Sequence, residues 1–211
     1  MKKSTSLGFK SGSEGQSQII GVVLLTLVMI TMVGITYMWG MPMIEKQKDT
    51  IRISNMERLM KELDDKIQEV AKNGGAQKLE TPDIAGEVIM VDQGIKDRIE
   101  LRTITTGVDV AMDTDIYLRG NEENEVPIGN EPGVIKVKAT GSNEAYDVEM
   151  DLYYRNLTGS ESVYIIDLVG LGRDKISGEN HIITISRGVE MPVIEENGVN
   201  VYTTKVNVRL E

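Results

Sequence analysis

Hydrophobic and polar positions divide this chain into three regimes. Residues 19–43 carry no charge over about twenty-five positions. At 1.5 Å per residue, a helix of that length crosses the hydrocarbon core of a bilayer. Beyond Pro42 the apolar positions thin to a stripe. Met56, Met60, Leu63, Ile67 and Val70 recur at intervals of four, three, four and three, with Leu59 and Ala71 widening the band. That spacing places them on one side of a helix. Glu57, Lys61, Asp65, Lys66 and Glu69 fall opposite, and the 57/61 and 62/66 pairs put acid four residues before base, the stabilising order. Asn73-Gly74-Gly75 accepts left-handed backbone and predicts the helix stop. Pro42 lacks a backbone donor and predicts a kink. Span and extension together predict a helix of about 50 residues. Its stripe could pair with a neighbour as a coiled coil or dock on the chain's own strands. Little over two heptads is short for a coiled coil, which favours docking.

From residue 84 onward the pattern changes to short strand-like runs between turn residues. Runs at 87–91, 98–103, 133–138, 146–154, 161–168, 182–186 and 189–194 are predicted strands. In 146–154, Tyr146, Val148, Met150 and Leu152 alternate with Asp147, Glu149 and Asp151, as on a half-buried strand with a wet, acidic outer face. The 161–168 run is more apolar than the others, as a central strand would be. Asn197-Gly198 is a tight-turn signal. In the last strand Val199 and Val201 are odd, whereas Val206, Val208 and Leu210 are even, which predicts a bulge or bend near residues 203–205. Residues 119–133, rich in Gly, Asn, Glu and Pro, read as a long surface loop with a short strand near Val126-Pro127-Ile128. The expected fold class is α+β: a long N-terminal helix, then an antiparallel β-sandwich or curved sheet of about seven to nine strands.

Charge and composition narrow the partners. The tail before the span has Lys2, Lys3 and Lys10 against Glu14, while Glu45-Lys46-Gln47-Lys48-Asp49 after it is balanced. The positive-inside bias therefore favours a cytoplasmic N-terminus and an external C-terminal body. Residues 1–50 hold five Lys and three carboxylates, so of the net −10 about −12 belongs to the rest. An acidic body argues against nucleic acid and anionic lipid as its partners. Cysteine is absent, which excludes a disulfide framework. With one Trp, one Phe and seven Tyr, the core must come from Ile, Val, Leu and Met. Trp39 and Tyr37 suit the outer membrane interface. Gly21, Gly34 and Gly40, with Thr26, Thr31 and Thr36, would permit close helix approach, but no strict Gly-x-x-x-Gly occurs.

Candidate chemistry is sparse. His181 stands alone without Cys, so it builds no ordinary zinc site and reads as a structural residue beside a turn. No Gly-x-Ser-x-Gly is present. Gly170-Leu171-Gly172-Arg173 lacks the third glycine and following helix of a dinucleotide site. Asp113-Thr114-Asp115 and Glu122-Glu123-Asn124-Glu125 offer oxygen ligands without EF-hand spacing. No catalytic residue, metal ligand or cofactor is expected, and the chain does not read as an enzyme. Asn156-Leu157-Thr158 is an N-glycosylation sequon, expected in a solvent-facing turn at 155–160.

The run Glu14-Gly15-Gln16-Ser17-Gln18-Ile19-Ile20-Gly21-Val22-Val23-Leu24-Leu25 resembles the N-terminus of archaeal type IV pilin-like proteins, with their class III signal peptide. The resemblance implies cutting by a prepilin peptidase between Gly15 and Gln16, with the apolar helix retained as anchor and filament core. Glu14 stands where a basic residue is commoner, and Lys10-Ser11-Gly12 before Ser13 is a second candidate cut. The implied organisation is a leader at 1–15, a transmembrane or pilin-core helix at 16–44, an amphipathic extension at 45–75 and an extracellular β-domain at 76–211. The expected partners are other subunits or copies of itself, the peptidase and the membrane. The rival expectation is an uncleaved single-pass anchor carrying a β-domain that binds or senses at the cell envelope.

Overall fold

The computed structural model describes residues 13–82, 85–92, 97–106, 111–142, 145–178, 180–189, 191–196 and 198–211. The tail lysines, the alternative cut at Gly12 and the turn residue Asn197 lie outside the described residues. Helix α1 runs over Ser13–Asn73, 61 residues, and continues through Pro42. It ends where the sequence supplies the means. Gly74 N donates to Val70 O at 2.8 Å, and Gly74 and Gly75 adopt φ of 77° and 87°. Lys72 in the last turn faces the negative end of the helix dipole.

The chain forms two compact units, Met1–Ile44 and Glu45–Glu211. In the first, the described apolar side chains are exposed, from Ile19 at 66% to Trp39 at 83%. The second joins the remainder of α1 to thirteen strands among the described residues. In chain order these are β1 Ala76–Glu80, β2 Gly86–Val91, β3 Arg98–Thr105, β4 Ile116–Arg119, β5 Glu125–Pro127, β6 Gly133–Ser142 and β7 Ala145–Tyr154. Then come β8 Asn156–Thr158, β9 Ser162–Gly172, β10 Lys175–Ser177, β11 Ile182–Arg187, β12 Ile194–Glu196 and β13 Val199–Leu210. One sheet has the order β1-β11-β13-β9-β8-β5, with β12 also on β13, and the other β10-β2-β3-β7-β6-β4.

A single core joins the helix to both sheets. Met56, Leu59, Met60, Leu63, Ile67 and Val70 are buried with Val88, Ile99, Leu101, Val148, Met150 and Leu152 of one sheet and Ile183, Ile185, Val206 and Val208 of the other. The stripe thus docks on the chain's own strands. Each of those side chains contributes about 1.5–3 kcal/mol on leaving water.

The strands depart from expectation in four ways. The sheets are not wholly antiparallel, because β9 runs parallel to β13 and β5 parallel to β8. Such pairs join segments distant in sequence, which local pattern does not report. Of the bulge or bend expected near residues 203–205, no bulge forms: β13 pairs with β9 in unbroken register from Asn200↔Ser162 to Leu210↔Gly172. Val206, Val208 and Leu210 face the core, while Val199 and Val201 lie on the opposite face, where the same strand projects past it. The sequon is not in a turn but forms strand β8. Residues 189–193 are not strand, and only Ile194–Glu196 pairs with β13.

Candidate functional site

Two features of the fold bear on function: an apolar helix whose described side chains are exposed, and the polar devices that fasten its continuation to the strands. The first is built from residues 19–44. Thr26, Thr31 and Thr36 donate their hydroxyls to the carbonyls of Val22, Leu27 and Met32 at 2.8, 2.7 and 2.8 Å. Their polarity is therefore satisfied within the helix. At Gly21, Gly34 and Gly40 a Cβ would meet nothing within 4 Å. Met32, Val33, Thr36, Tyr37, Gly40, Met41 and Ile44 line a shallow groove on this helix. Among the described residues, α1 is the one helix long and apolar enough to cross a membrane. Gly15 and Gln16 lie in its first turns.

The second feature is a pair of buried aspartates on the stripe. Asp64 is fully buried. Its Oδ1 accepts from Tyr154 Oη and from Gln68 Nε2, each at 2.9 Å, and its Oδ2 accepts from Arg119 Nη1. The same guanidinium donates to Asp65 Oδ1 at 2.8 Å. Gly133 opens β6 against the Asp64 carboxylate, where any Cβ would collide with it. Burial and the Asp64 charge push the Tyr154 hydroxyl well above the usual phenol range, so Tyr154 stays a donor. One carboxylate thereby ties α1 to β4, β6 and β7. Nearer the apolar segment, Asp49 Oδ2 accepts from Thr106 N at 2.9 Å and Thr106 Oγ1 at 3.0 Å, and Oδ1 from Arg52 at 3.1 Å. Asp49 clamps the helix to the end of β3. The sequence reading placed Asp65 on the polar face and passed over both aspartates. The signal was present, since Asp49 and Asp64 sit at heptad distances from Met56, Met60 and Ile67.

The outer face of β3 and β7 holds a charge lattice. Register sets Glu100 opposite Asp151 and Arg102 opposite Glu149. Oxygens of Glu100, Glu149 and Asp151 lie within 4.8 Å of one another, a donor set of the kind a cation accepts. Arg98 sits 3.2 Å from Asp151, Arg102 3.3 Å from Glu100 and 3.1 Å from Glu149, and Lys136 3.4 Å from Asp151. Three cations already balance the three carboxylates, and the lattice is structural. The expected wet acidic face is therefore dry at its centre, with Glu100 and Asp151 only 5% and 4% exposed under the stems of their partners.

Burial first, and the neighbouring Glu149 next, hold both Glu100 and Asp151 above the usual carboxyl range despite these cations. A carboxyl raised in the folded state favours folding when protonated. That contribution is complete below about pH 4, the unfolded carboxyl value, and is lost as pH rises through the folded one. Glu100→Gln keeps the shape and removes the charge. It is expected to raise the thermal midpoint over wild type at pH 7 and to lose this advantage near pH 4, followed by circular dichroism. A lower midpoint than wild type at pH 7 would show that the ion pairs outweigh the burial cost.

The remaining sequence candidates are dispersed. His181 Nδ1 and Nε2 lie 3.1 and 2.9 Å from the carbonyl oxygens of Glu211 and Ser177, in keeping with a structural role. Gly170, Leu171 and Gly172 end β9. Asp115 pairs with Lys136 at 3.8 Å, and Glu122 shares a hydrogen bond with Tyr117. The 119–133 segment is fastened: Arg155 donates to Asn121 Oδ1 and to the Glu131 carbonyl, and β5 pairs with β8. Asn156 is half-buried, opposite Glu125.

No curated protein and no solved structure matches this chain. Residues 14–82, which take in nearly all of α1 and the whole of β1, are similar to a family described as "Family of unknown function (DUF7289)".

Proposed function

We propose that this chain is a pilin-like structural subunit, anchored and assembled through residues 19–44 of α1 after trimming between Gly15 and Gln16. The observation that carries the reading is the exposure of that helix: its apolar side chains stand between 37% and 83% exposed. Such a surface is stable only in lipid or against other apolar helices. Release from lipid into a bundle of identical helices would hide it equally well, and the groove at Thr36 and Gly40 admits a neighbouring side chain. The β-body, held to the same helix by Asp49 and Asp64, would then coat the assembly or meet another surface. The lysines of the tail support a cytoplasmic start and an external body in a single-pass arrangement. The prepilin peptidase and other subunits are the partners of this reading, and Asn156 is its glycosylation candidate. No reaction or cofactor is required.

Mass spectrometry of the mature N-terminus tests it. The expected product starts at Gln16, and Gly15→Trp should leave the precursor uncut in the membrane fraction. Recovery of an intact tail from wild-type cells would instead favour a permanent anchor that carries a binding or sensing domain.

A further inference from the structure

Strand register builds an apolar row across the sheet that contains β9 and β13. Pro127 pairs with Thr158, Thr158 with Val163, Val163 with Val201 and Val201 with Ile194. These side chains share the face opposite to Val206, Val208 and Leu210 of the core. At about 4.8 Å per strand the row is about 19 Å wide. Ile194 at its edge is 50% exposed, and Val189, Met191 and Val193, just before it in the chain, are 85%, 41% and 52% exposed. This is more exposed aliphatic surface than scattered residues leave.

The surrounding charge is mostly negative, and Lys205, four residues along β13 on the same face, is paired with Asp167 at 3.9 Å. Segments 120–131, 156–166 and 189–204 contain eight Glu and no Lys or Arg. Glu123, Glu125, Glu161 and Glu195 are exposed. Two of the flanking cations are engaged elsewhere, Arg155 with Asn121 and the Glu131 carbonyl, and Arg119 with Asp64, Asp65 and Glu131. Two such surfaces repel each other, and an anionic membrane is repelled as well. An apolar row with an unbalanced acidic rim complements a segment that carries aliphatic and basic side chains together.

We propose that this row is a docking surface for a basic, aliphatic polypeptide segment of a partner protein. Register fixes the apolar contacts at Val163, Val201 and Ile194, and Glu125 and Glu161 supply charge pairs at the rim. Asn156 shares the face two strands from β13, so carbohydrate there would cap that end and leave β12 open. The inference is independent of how the apolar helix assembles.

The test uses the full chain in nonionic detergent micelles and a fluorescent peptide of alternating Lys and Val. About eight residues suffice to cross the row at about 3.3 Å per residue. Saturable binding is expected from fluorescence anisotropy, above that to micelles alone, and a Gln-Val peptide should not bind. Affinity should fall about tenfold or more between about 0.05 and 0.5 M salt as the charge pairs are screened. Ile194→Asp should abolish binding, as should Glu125→Lys combined with Glu161→Lys, exposed changes that leave the circular dichroism spectrum unaltered. Carbodiimide coupling should join peptide lysines to Glu125 or Glu161. Binding that ignores these substitutions, or coupling confined to other carboxylates, overturns the proposal. So does self-association of the wild type that Glu125→Lys with Glu161→Lys removes, which would assign the row to a second copy.

Discussion

Asp64→Ala is expected to destabilise the β-body by about 3–5 kcal/mol, because the buried Tyr154 hydroxyl loses its acceptor and Arg119 keeps only its exposed partners Asp65 and Glu131. The Arg119 guanidinium and the Tyr154 hydroxyl would both lose the oxygen they are built around. Asp64→Asn keeps an acceptor and should cost less. Replacing the group in one step, as Asp64→Leu with Arg119→Met, should recover much of the loss, because two desolvated charges disappear together. Urea unfolding followed by far-ultraviolet circular dichroism measures all three. If Asp64→Ala unfolds at the wild-type midpoint, the carboxylate is not the anchor described here.

Ile67→Ala is the second large effect, expected at about 2–5 kcal/mol from lost burial and the cavity left behind. Ile67 is fully buried, in a core shared by the helix and both sheets. The loss should be the same at low and high protein concentration, since the contact lies within one chain. A midpoint shift that grew on dilution would mean that the stripe serves a neighbouring copy instead.

Much of this architecture was legible in residue order. The length of α1, its stop at Gly74 and its buried stripe follow from spacing, because a helix repeats every 3.6 residues and each turn tests the reading again. The runs that became β3, β6, β7, β9, β11 and β13 were visible for a similar reason, since alternation is a local property. What failed was non-local. The β8 sequon looked like a turn because three residues bounded by Arg155 and Gly159 carry no period of their own; β5 and β9 make them a strand. The phase change in β13 looked like a bulge because alternation does not say how far a core extends. For the candidate site, the apolar helix was plain from the sequence, while Asp49 and Asp64 were passed over as polar residues on a polar-looking helix.

Residue order alone settled that this chain has one membrane-length apolar helix, no disulfide, a docking stripe and a strand-rich acidic body. Those properties depend on composition and short-range periodicity, which the chain carries before it folds. The tertiary structure decided which charges are buried, since Asp64 meets Arg119 across 55 residues of sequence and Asp49 meets Thr106 across 57. It also decided the parallel pairing of β9 with β13, and so the apolar row with its acidic rim. Burial and pairing depend on what arrives from elsewhere in the chain, and no local pattern contains that.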